Sequence, residues 1–357
     1  MPMTLATTSN TPPTTQPGVE TSSSDSQFKA LLSGVGIAPL DDAGWIRVTG
    51  EDRLRWLNGM ATNAVQELTP GTGSYNFFLN AQGRIQGDGY IFASSDALLI
   101  ETARQQVATL IPYLDHYIIM DDVELADVTE TRHGITVIGA KAASLLDQLN
   151  LPVDDLDTLQ TRSLSWNSAD ITVIHAHSPL IPRYELWTDT SDIVTQLFNA
   201  LTAAGASACD LGALDSLRIL EGTPLYGADI RDRDLPQETN QTRALHFSKG
   251  CYLGQEIVER IRSRGSVHRT FTAFLLEGTL PAPGTLLESS GKQVGELTSV
   301  TSIPAANAPI QLALGYARRE ALDRGEPLQY AGGTASPVAT PYFAAKTQPQ
   351  ASDSLAS

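Results

Sequence analysis

The run Lys249-Gly250-Cys251-Tyr252-Leu253-Gly254-Gln255-Glu256-Ile257-Val258-Glu259-Arg260 constrains this chain more than any other stretch. Gly250 and Gly254 free the backbone for a tight loop, and Ile257, Val258 and Ile261 then recur at helical spacing. The run therefore reads as a loop opening into a helix. A thiol at Cys251 would stand near a helix N-terminus beside Lys249, and both neighbours favour a thiolate. A small buried cysteine in a glycine-permitted turn fits the same pattern. The residues alone leave both readings open.

With 357 residues and 41% hydrophobic content, the chain can build two or three domains with sizeable cores. No uninterrupted apolar stretch reaches membrane-spanning length. The net charge of −16 sets up a field that repels nucleic acid and anionic membranes. Residues 243–269 reverse the trend: Arg243, Lys249, Arg260, Arg262, Arg264 and Arg269 face only Glu256 and Glu259, a balance of +4. Such an island fits a localised anionic ligand, and it equally fits a helix face of solvated arginines. Cys209 and Cys251 lie far apart with no Cys-x-x-Cys pair, which argues against a disulfide framework or a dedicated zinc or iron–sulfur site and points to a reducing, cytoplasmic setting. Residues 1–26, rich in Thr, Ser and Pro, contain no Lys or Arg. They lack a signal-peptide core and read as a disordered tail, as do residues 346–357.

Order is expected from Phe28. Trp45 to Val48 reads as a strand, and the segment after Gly50 as a helix with Leu54, Leu57 and Ala61 on one face. Ser74 to Leu79 and Arg84 to Phe92 read as a hairpin joined by Asn80-Ala81-Gln82-Gly83. Helices are expected at Gln105 to Asp115, Lys141 to Leu149 and Ser191 to Leu201, and strands at Val123 to Asp127, Gly134 to Ile138, Ile171 to His175 and Tyr184 to Trp187. This mixture predicts α+β layers rather than a regular parallel barrel. Beyond Gly265, short strand candidates recur between Gly and Pro turns, which predicts a small antiparallel β-barrel over 265–345. The region 27–264 then forms two α+β lobes.

The common catalytic signatures are missing: no Gly-x-Gly-x-x-Gly, phosphate-binding Gly-Lys-Ser/Thr loop, His-Glu-x-x-His or Gly-x-Ser-x-Gly. His175 and His177 would share a strand face, but two histidines without a third ligand are more often a polar face than a metal site.

The opening run resembles the signature of the YgfZ-type folate-binding proteins, relatives of the aminomethyltransferase of the glycine cleavage system. The resemblance extends to Gly50-Glu51-Asp52, to Leu57-Asn58-Gly59-Met60-Ala61-Thr62-Asn63, to Leu79-Asn80-Ala81-Gln82-Gly83-Arg84-Ile85 with Asp88 downstream, and to Leu217-Arg218-Ile219, Gly222, Pro224, Tyr226-Gly227 and Asp229, then Leu235-Pro236-Gln237-Glu238. It covers roughly residues 40 to 340. It implies an α+β, GcvT-like three-lobed cloverleaf around a central channel that binds tetrahydrofolate, with the C-terminal barrel as the last lobe. One departure stands out. The family's Arg-Ile-Glu-Ala-Gly becomes Arg218-Ile219-Leu220-Glu221-Gly222, so Leu220 holds the expected acidic position. A one-residue step rotates a helical side chain by about 100°. Either the helix end adjusts and Glu221 takes the role, or pterin contact is weakened, and the first is favoured because helix ends are plastic.

An aminopyrimidinone edge presents adjacent N–H donors that a carboxylate accepts in pairs. Asp88, Glu221, Asp229 and Glu238 are the candidate acids, each also compatible with a cap or turn role. Tyr226 or Tyr252 could stack on the ring, although a core tyrosine is the commoner fate. The resemblance adds Gln255, Glu256 and Arg260 to the folate-contacting set, with the arginines from Arg260 to Arg269 suiting an anionic glutamate tail. Cys251, Lys249 and Asp88 are the candidate catalytic residues. Three functions compete. The first is a tetrahydrofolate-binding protein supporting iron–sulfur cluster assembly or repair on client or scaffold proteins through Cys251. The second is an aminomethyltransferase in which Asp88 tunes protonation of the folate amine. The third, a docking module for RNA, suits the net charge least.

Overall fold

The computed structural model describes residues 24–265, 267–305 and 308–343. The tail expected over 346–357 lies outside these residues. So does that expected over 1–26, except that Ser24 to Ser26 already belong to the first helix.

The chain opens with α1 (Ser24–Ser33) and β1 (Gly36–Pro39) and then builds a first lobe from β2 (Ala43–Thr49), α2 (Arg53–Met60), β3 (Gly73–Leu79), β4 (Ile85–Ala93), β5 (Leu98–Ala103), α3 (Arg104–Asp115) and β6 (Glu124–Asp127). Its five strands pair in the order β3-β4-β5-β2-β6. Trp56, Leu57 and Met60 of α2 and Val107, Leu110 and Leu114 of α3 pack against Ile46, Phe78, Ile91 and Ile100 of the sheet. The expected helix face thus exists, although α2 stops at Met60 and Ala61 caps it.

The second lobe contains β7 (His133–Ile138), α4 (Ala142–Gln148), β8 (Thr161–Trp166), β9 (Ala169–Ala176), β10 (Arg183–Thr188), α5 (Ser191–Ala203) and β11 (Ser207–Ala208). Its sheet runs β11-β1-β7-β10-β9-β8, so the early strand β1 crosses into it. α6 (Leu211–Glu221) follows, and after the loop carrying the signature comes α7 (Gln255–Arg264). The third lobe is β12 (Arg269–Gly278), β13 (Leu286–Ser289), β14 (Lys292–Ile303), β15 (Ile310–Arg318), α8 (Arg319–Leu322), β16 (Leu328–Tyr330) and β17 (Gly333–Val338). Its six strands close into an antiparallel barrel in the order β12-β15-β14-β13-β16-β17, which leaves no free edge. Phe28 and Leu31 of α1 and Leu217 and Leu220 of α6 share one core with Phe271, Leu312 and Leu314 of the barrel, so these helices fasten the third lobe to the other two. The architecture is the expected α+β cloverleaf of three lobes.

Four strands before the barrel have no counterpart in the periodicity reading: β1, β5, β8 and the two-residue β11. β8 (Thr-Arg-Ser-Leu-Ser-Trp) is largely polar, and the Leu98-Leu99-Ile100 run of β5 is too short to separate strand from helix by pattern.

The two glycine motifs of the sequence meet. In the β3–β4 hairpin, Asn80 Oδ1 accepts from the backbone N–H groups of Gln82 and Arg84, both at 3.0 Å. Gly254, with φ +82°, lies so close to this turn that a Cβ would stand 2.5 Å from the Asn80 carbonyl oxygen. Gly250, with φ +93°, has open space around it. Both positions favour glycine on backbone grounds, but only one is also sterically closed. Gly250→Ala is expected to cost about 1–2 kcal/mol of unfolding free energy for the left-handed conformation. Gly254→Ala adds the overpacking cost of about 1–3 kcal/mol. Urea unfolding of the two variants checks this: equal losses would rule out the contact between the turns.

Candidate functional site

A cavity of about 650 Å3 opens between the first sheet, the second sheet and the segment from α6 to Tyr226. Strand geometry determines what faces it. Side chains alternate sides, so Asp88, Tyr90 and Phe92 of β4, Glu101 and Ala103 of β5, and Arg183 and Glu185 of β10 all reach the same space. Gln106 of α3, His177 after β9, Arg218 of α6 and Arg243 complete its polar lining.

One polar group centres on Asp88. Tyr75 Oη donates to its Oδ2 at 2.6 Å, and Gln106 Nε2 donates to Oδ1 at 2.9 Å. These bonds fix the carboxyl while leaving acceptor capacity toward the cavity. Burial raises its pKa, opposed by the Tyr75 and Gln106 bonds and by the Arg243 cation. Arg243 stacks 4.0 Å from the Tyr75 ring centroid and 5.6 Å from that of Tyr90. It donates to Tyr90 Oη and to Gln241 Oε1, both at 3.2 Å, so its partners are rings and amide rather than a carboxylate. The Thr62-Asn63 turn places it: Thr62 Oγ1 donates to the Ala244 carbonyl at 2.6 Å, and Asn63 Nδ2 to the Arg243 carbonyl at 2.9 Å.

A second group pairs two acids. Glu185 accepts from Arg183 Nη2 at 2.9 Å and from Trp187 Nε1 at 3.1 Å. Burial, and next the charge of Glu185, push the Glu101 pKa well above its ordinary value, which favours its protonated form beside Glu185. His177 is pulled down to about 4, by burial first and then by the Arg243 and Arg183 cations, and is a neutral imidazole at physiological pH. Arg183 Nε is buried with no hydrogen-bond partner among the described residues.

Of the candidate catalytic and folate-contacting residues, Asp88 and Tyr226 line this cavity. Tyr226 Oη donates to the Gln86 carbonyl at 2.9 Å, and burial raises its pKa to about 12. The other acids are engaged elsewhere. Asp229, fully buried, accepts from Arg218 Nη1 at 2.7 Å, Leu225 N at 2.9 Å and Ser299 Oγ at 2.8 Å, and from Thr298 Oγ1. Glu221 accepts from Ser178 Oγ at 2.5 Å and Leu180 N at 3.1 Å, tying the end of α6 to that loop, while Leu220 is buried in the core. Glu238 accepts from Leu235 N and Arg269 Nη2, both at 3.1 Å. Each of these acids lies beside backbone N–H groups that would otherwise be unpaired, which explains why turn acids draw inward to the chain rather than to the cavity.

The signature loop also stands apart from the cavity lining. Lys249 Nζ donates to the Ala61 carbonyl at 2.7 Å and to that of Asn58, so it clamps the loop onto the end of α2. Burial lowers its pKa to about 8. Tyr252 turns inward to pack with Tyr75, Phe77 and Val258. Gln255 Oε1 accepts from Tyr252 N at 3.1 Å, closing the loop before α7. Cys251 is exposed, whereas Cys209 is the buried cysteine. Glu256 and Arg260 form an exposed ion pair at 2.6 Å. The basic island is dispersed: Arg262 pairs with Glu259, Arg269 with Asp234 and Glu238, and Arg243 alone among its members with described side chains lines the cavity.

Sequence reasoning passed over Glu101, Arg183 and Glu185, and weighed Arg243 only as part of an island. The signal was present in Arg183-Tyr184-Glu185-Leu186-Trp187, where charges alternate with apolar residues inside a strand. An inward charge in a strand flanked by buried neighbours requires a cavity or a partner.

Residues 16–249 match the GCVT N-terminal domain. The chain is 28% identical over 321 residues to an aminomethyltransferase of Geobacillus kaustophilus, covering 86% of each protein. It is 26% identical over 340 residues to a chloroplastic Arabidopsis thaliana protein named as a transferase, covering 92% of this chain and 76% of that one. The crystal structure of glycine cleavage system aminomethyltransferase T from Bartonella henselae superposes with a TM-score of 0.79 at 17% identity, covering 89% of each chain, and so shares the fold. Because the domain match spans well over half of the chain, this protein belongs to the GCVT N-terminal domain family.

Proposed function

We propose that this protein binds a reduced folate, tetrahydrofolate or a substituted form, in the central cavity and supports iron–sulfur cluster assembly or repair on other proteins through Cys251. The observation that carries the folate reading is the acid pair Glu101–Glu185 beside Arg183 inside the cavity. Its volume falls within the roughly 300–1,000 Å3 typical of small-ligand sites. Glu185 offers a fixed carboxylate to adjacent N–H donors, which is what an aminopyrimidinone edge presents. The buried, unpartnered Nε of Arg183 points to a ligand acceptor at the same place. Arg243 supplies a cation free of carboxylate partners for an anionic portion. When bound, the folate would supply a one-carbon carrier; the chain's own residues bind and orient it and, at Asp88, hold a proton near the reacting amine.

The iron–sulfur role rests on the likeness of Lys249 to Glu256 to the YgfZ signature and on the exposure of Cys251 outside the cavity lining. A thiol so placed faces proteins rather than the folate, and it suits a reducing cytoplasm. A second reading, aminomethyl transfer to tetrahydrofolate, is favoured by Asp88 at the cavity wall and by the names of the relatives. Tetrahydrofolate-dependent ammonia release from an aminomethyl-lipoyl carrier protein separates the two: no release is expected, and turnover that Asp88→Asn abolishes would establish the second reading instead.

Titration calorimetry with tetrahydrofolate tests the cavity. Glu185→Gln is expected to weaken binding by about tenfold or more, the scale of one charge-assisted hydrogen bond. An unchanged isotherm would remove Glu185 from the site. Cys251→Ser should bind tetrahydrofolate as wild type does yet fail to restore cluster-enzyme activity in cells lacking the protein; full restoration would dismiss the thiol. Glu101 generates a pH prediction. Its native pKa lies above the ordinary 4.5, so above that pH the native state holds a proton the unfolded chain releases, and stability declines as pH rises toward the native pKa. Glu101→Gln removes this loss. Urea unfolding should show little pH-dependent difference near pH 4 and a relative gain for the variant near pH 7.

A further inference from the structure

The strands that build the main cavity continue past it. Along β2, Ala43 lines the main cavity, Trp45 follows on the same face, and Arg47 lines a second cavity of about 280 Å3. The same succession holds from Glu185 through Trp187 to Asp189, from Phe92 to Ser94, and from Glu101 to Leu99. The two spaces therefore lie on either side of a packed aromatic cluster, which forms a partition between them. Trp45 and Trp187 meet edge to face at 5.0 Å, and Phe92 closes on Trp45 at 6.3 Å.

Arg132 lies at the far side of this partition, its guanidinium 4.4 Å from the Trp45 ring centroid. Its charge is not neutralised locally. Its Nε is buried without a hydrogen-bond partner, and among the described residues no acid pairs with it. Asp189 and Glu101 act on it only through space. The other cation of the cavity, Arg47, is already paired with Asp96 at 2.6 Å, and Asp96 also accepts from Ser94 Oγ at 3.0 Å. In a chain of net charge −16, a half-buried arginine without a hydrogen-bonded acid is costly unless something binds it.

We propose that this second cavity is a binding site for a small carboxylate, held by the Arg132 guanidinium above Trp45. The planar guanidinium, whose terminal nitrogens have no hydrogen-bond partner among the described residues, matches a carboxylate in bidentate fashion. Exposed Asp189 forms no ion pair among the described residues, and its charge opposes an anion there. The site is independent of the folate reading, since the aromatic partition separates it from the acid pair and Asp88.

The test follows the Arg132 Nε–Hε resonance, identified by its loss in Arg132→Lys, while acetate is titrated at constant ionic strength against chloride. A saturable shift with acetate and none with chloride is expected. Arg132→Gln should abolish acetate binding, read by calorimetry. Asp189→Asn changes an exposed side chain and keeps the experiment decisive even where Arg132→Gln destabilises the protein. It should tighten acetate roughly two- to fivefold, the scale of one partly screened charge. A linear, anion-independent shift, or an affinity untouched by Asp189→Asn, overturns the site.

Discussion

The buried ion pair between Arg218 and Asp229 is the interaction on which the arrangement of lobes depends. Asp229 is fully buried and spends its acceptors on Arg218, the Leu225 amide, Ser299 and Thr298. Arg218 in turn reaches Asp215, Ser299 and the Thr223 carbonyl. One node therefore binds α6, the loop that ends in Tyr226, and strand β14 of the barrel. Opening it would strand a charge in a low-dielectric interior, which typically costs about 3–5 kcal/mol. The loop's cavity-facing residues, Thr223 to Tyr226, are held from behind by this pair. Among the described residues the barrel contributes none to the cavity lining, yet its contacts hold one wall in place.

Within the cavity, the chain handles charge by favouring a neutral acid and by stacking a cation. Burial and the charge of Glu185 raise the Glu101 pKa, which favours a neutral carboxyl beside Glu185, and Arg243 is held by tyrosine faces rather than an acid. Both devices keep polar groups poised without satisfying them completely. Such sites are stable only when a rigid frame supports them, and here the frame is three packed lobes joined by α1 and α6. The signature loop performs a different task. It is pinned by Lys249 to the end of α2 and closed by Gln255, so the exposed Cys251 stands on a fixed platform on the outer side of the Tyr252 cluster.

Much of the fold was legible in local pattern. The hairpin of β3 and β4, helices α3, α4 and α5, strands β2, β6, β7, β9 and β10, and the recurring short strands of the barrel follow from periodicity and turn chemistry, because these features are set by neighbours in sequence. Asp88 and Tyr226, which the family resemblance and not composition pointed to, line the cavity. The acids that went elsewhere were not separable by sequence. Glu221, Asp229 and Glu238 have the composition of ligands and act as anchors, because a nearby amide or arginine satisfies them first.

What the sequence settled by itself is the kind of pieces available: two α+β lobes, a glycine-shaped loop before a helix, a terminal barrel and an excess of negative charge. Those properties depend on dihedral preference, side-chain period and counting. Tertiary structure alone decided which charges meet. Glu101 and Glu185 come from different sheets, Arg243 is positioned by Thr62 and Asn63 from far along the chain, and Arg132 acquires its isolation only when Trp45 lies beneath it. The energy of a charge is fixed by what surrounds it in space, and no local pattern carries that information.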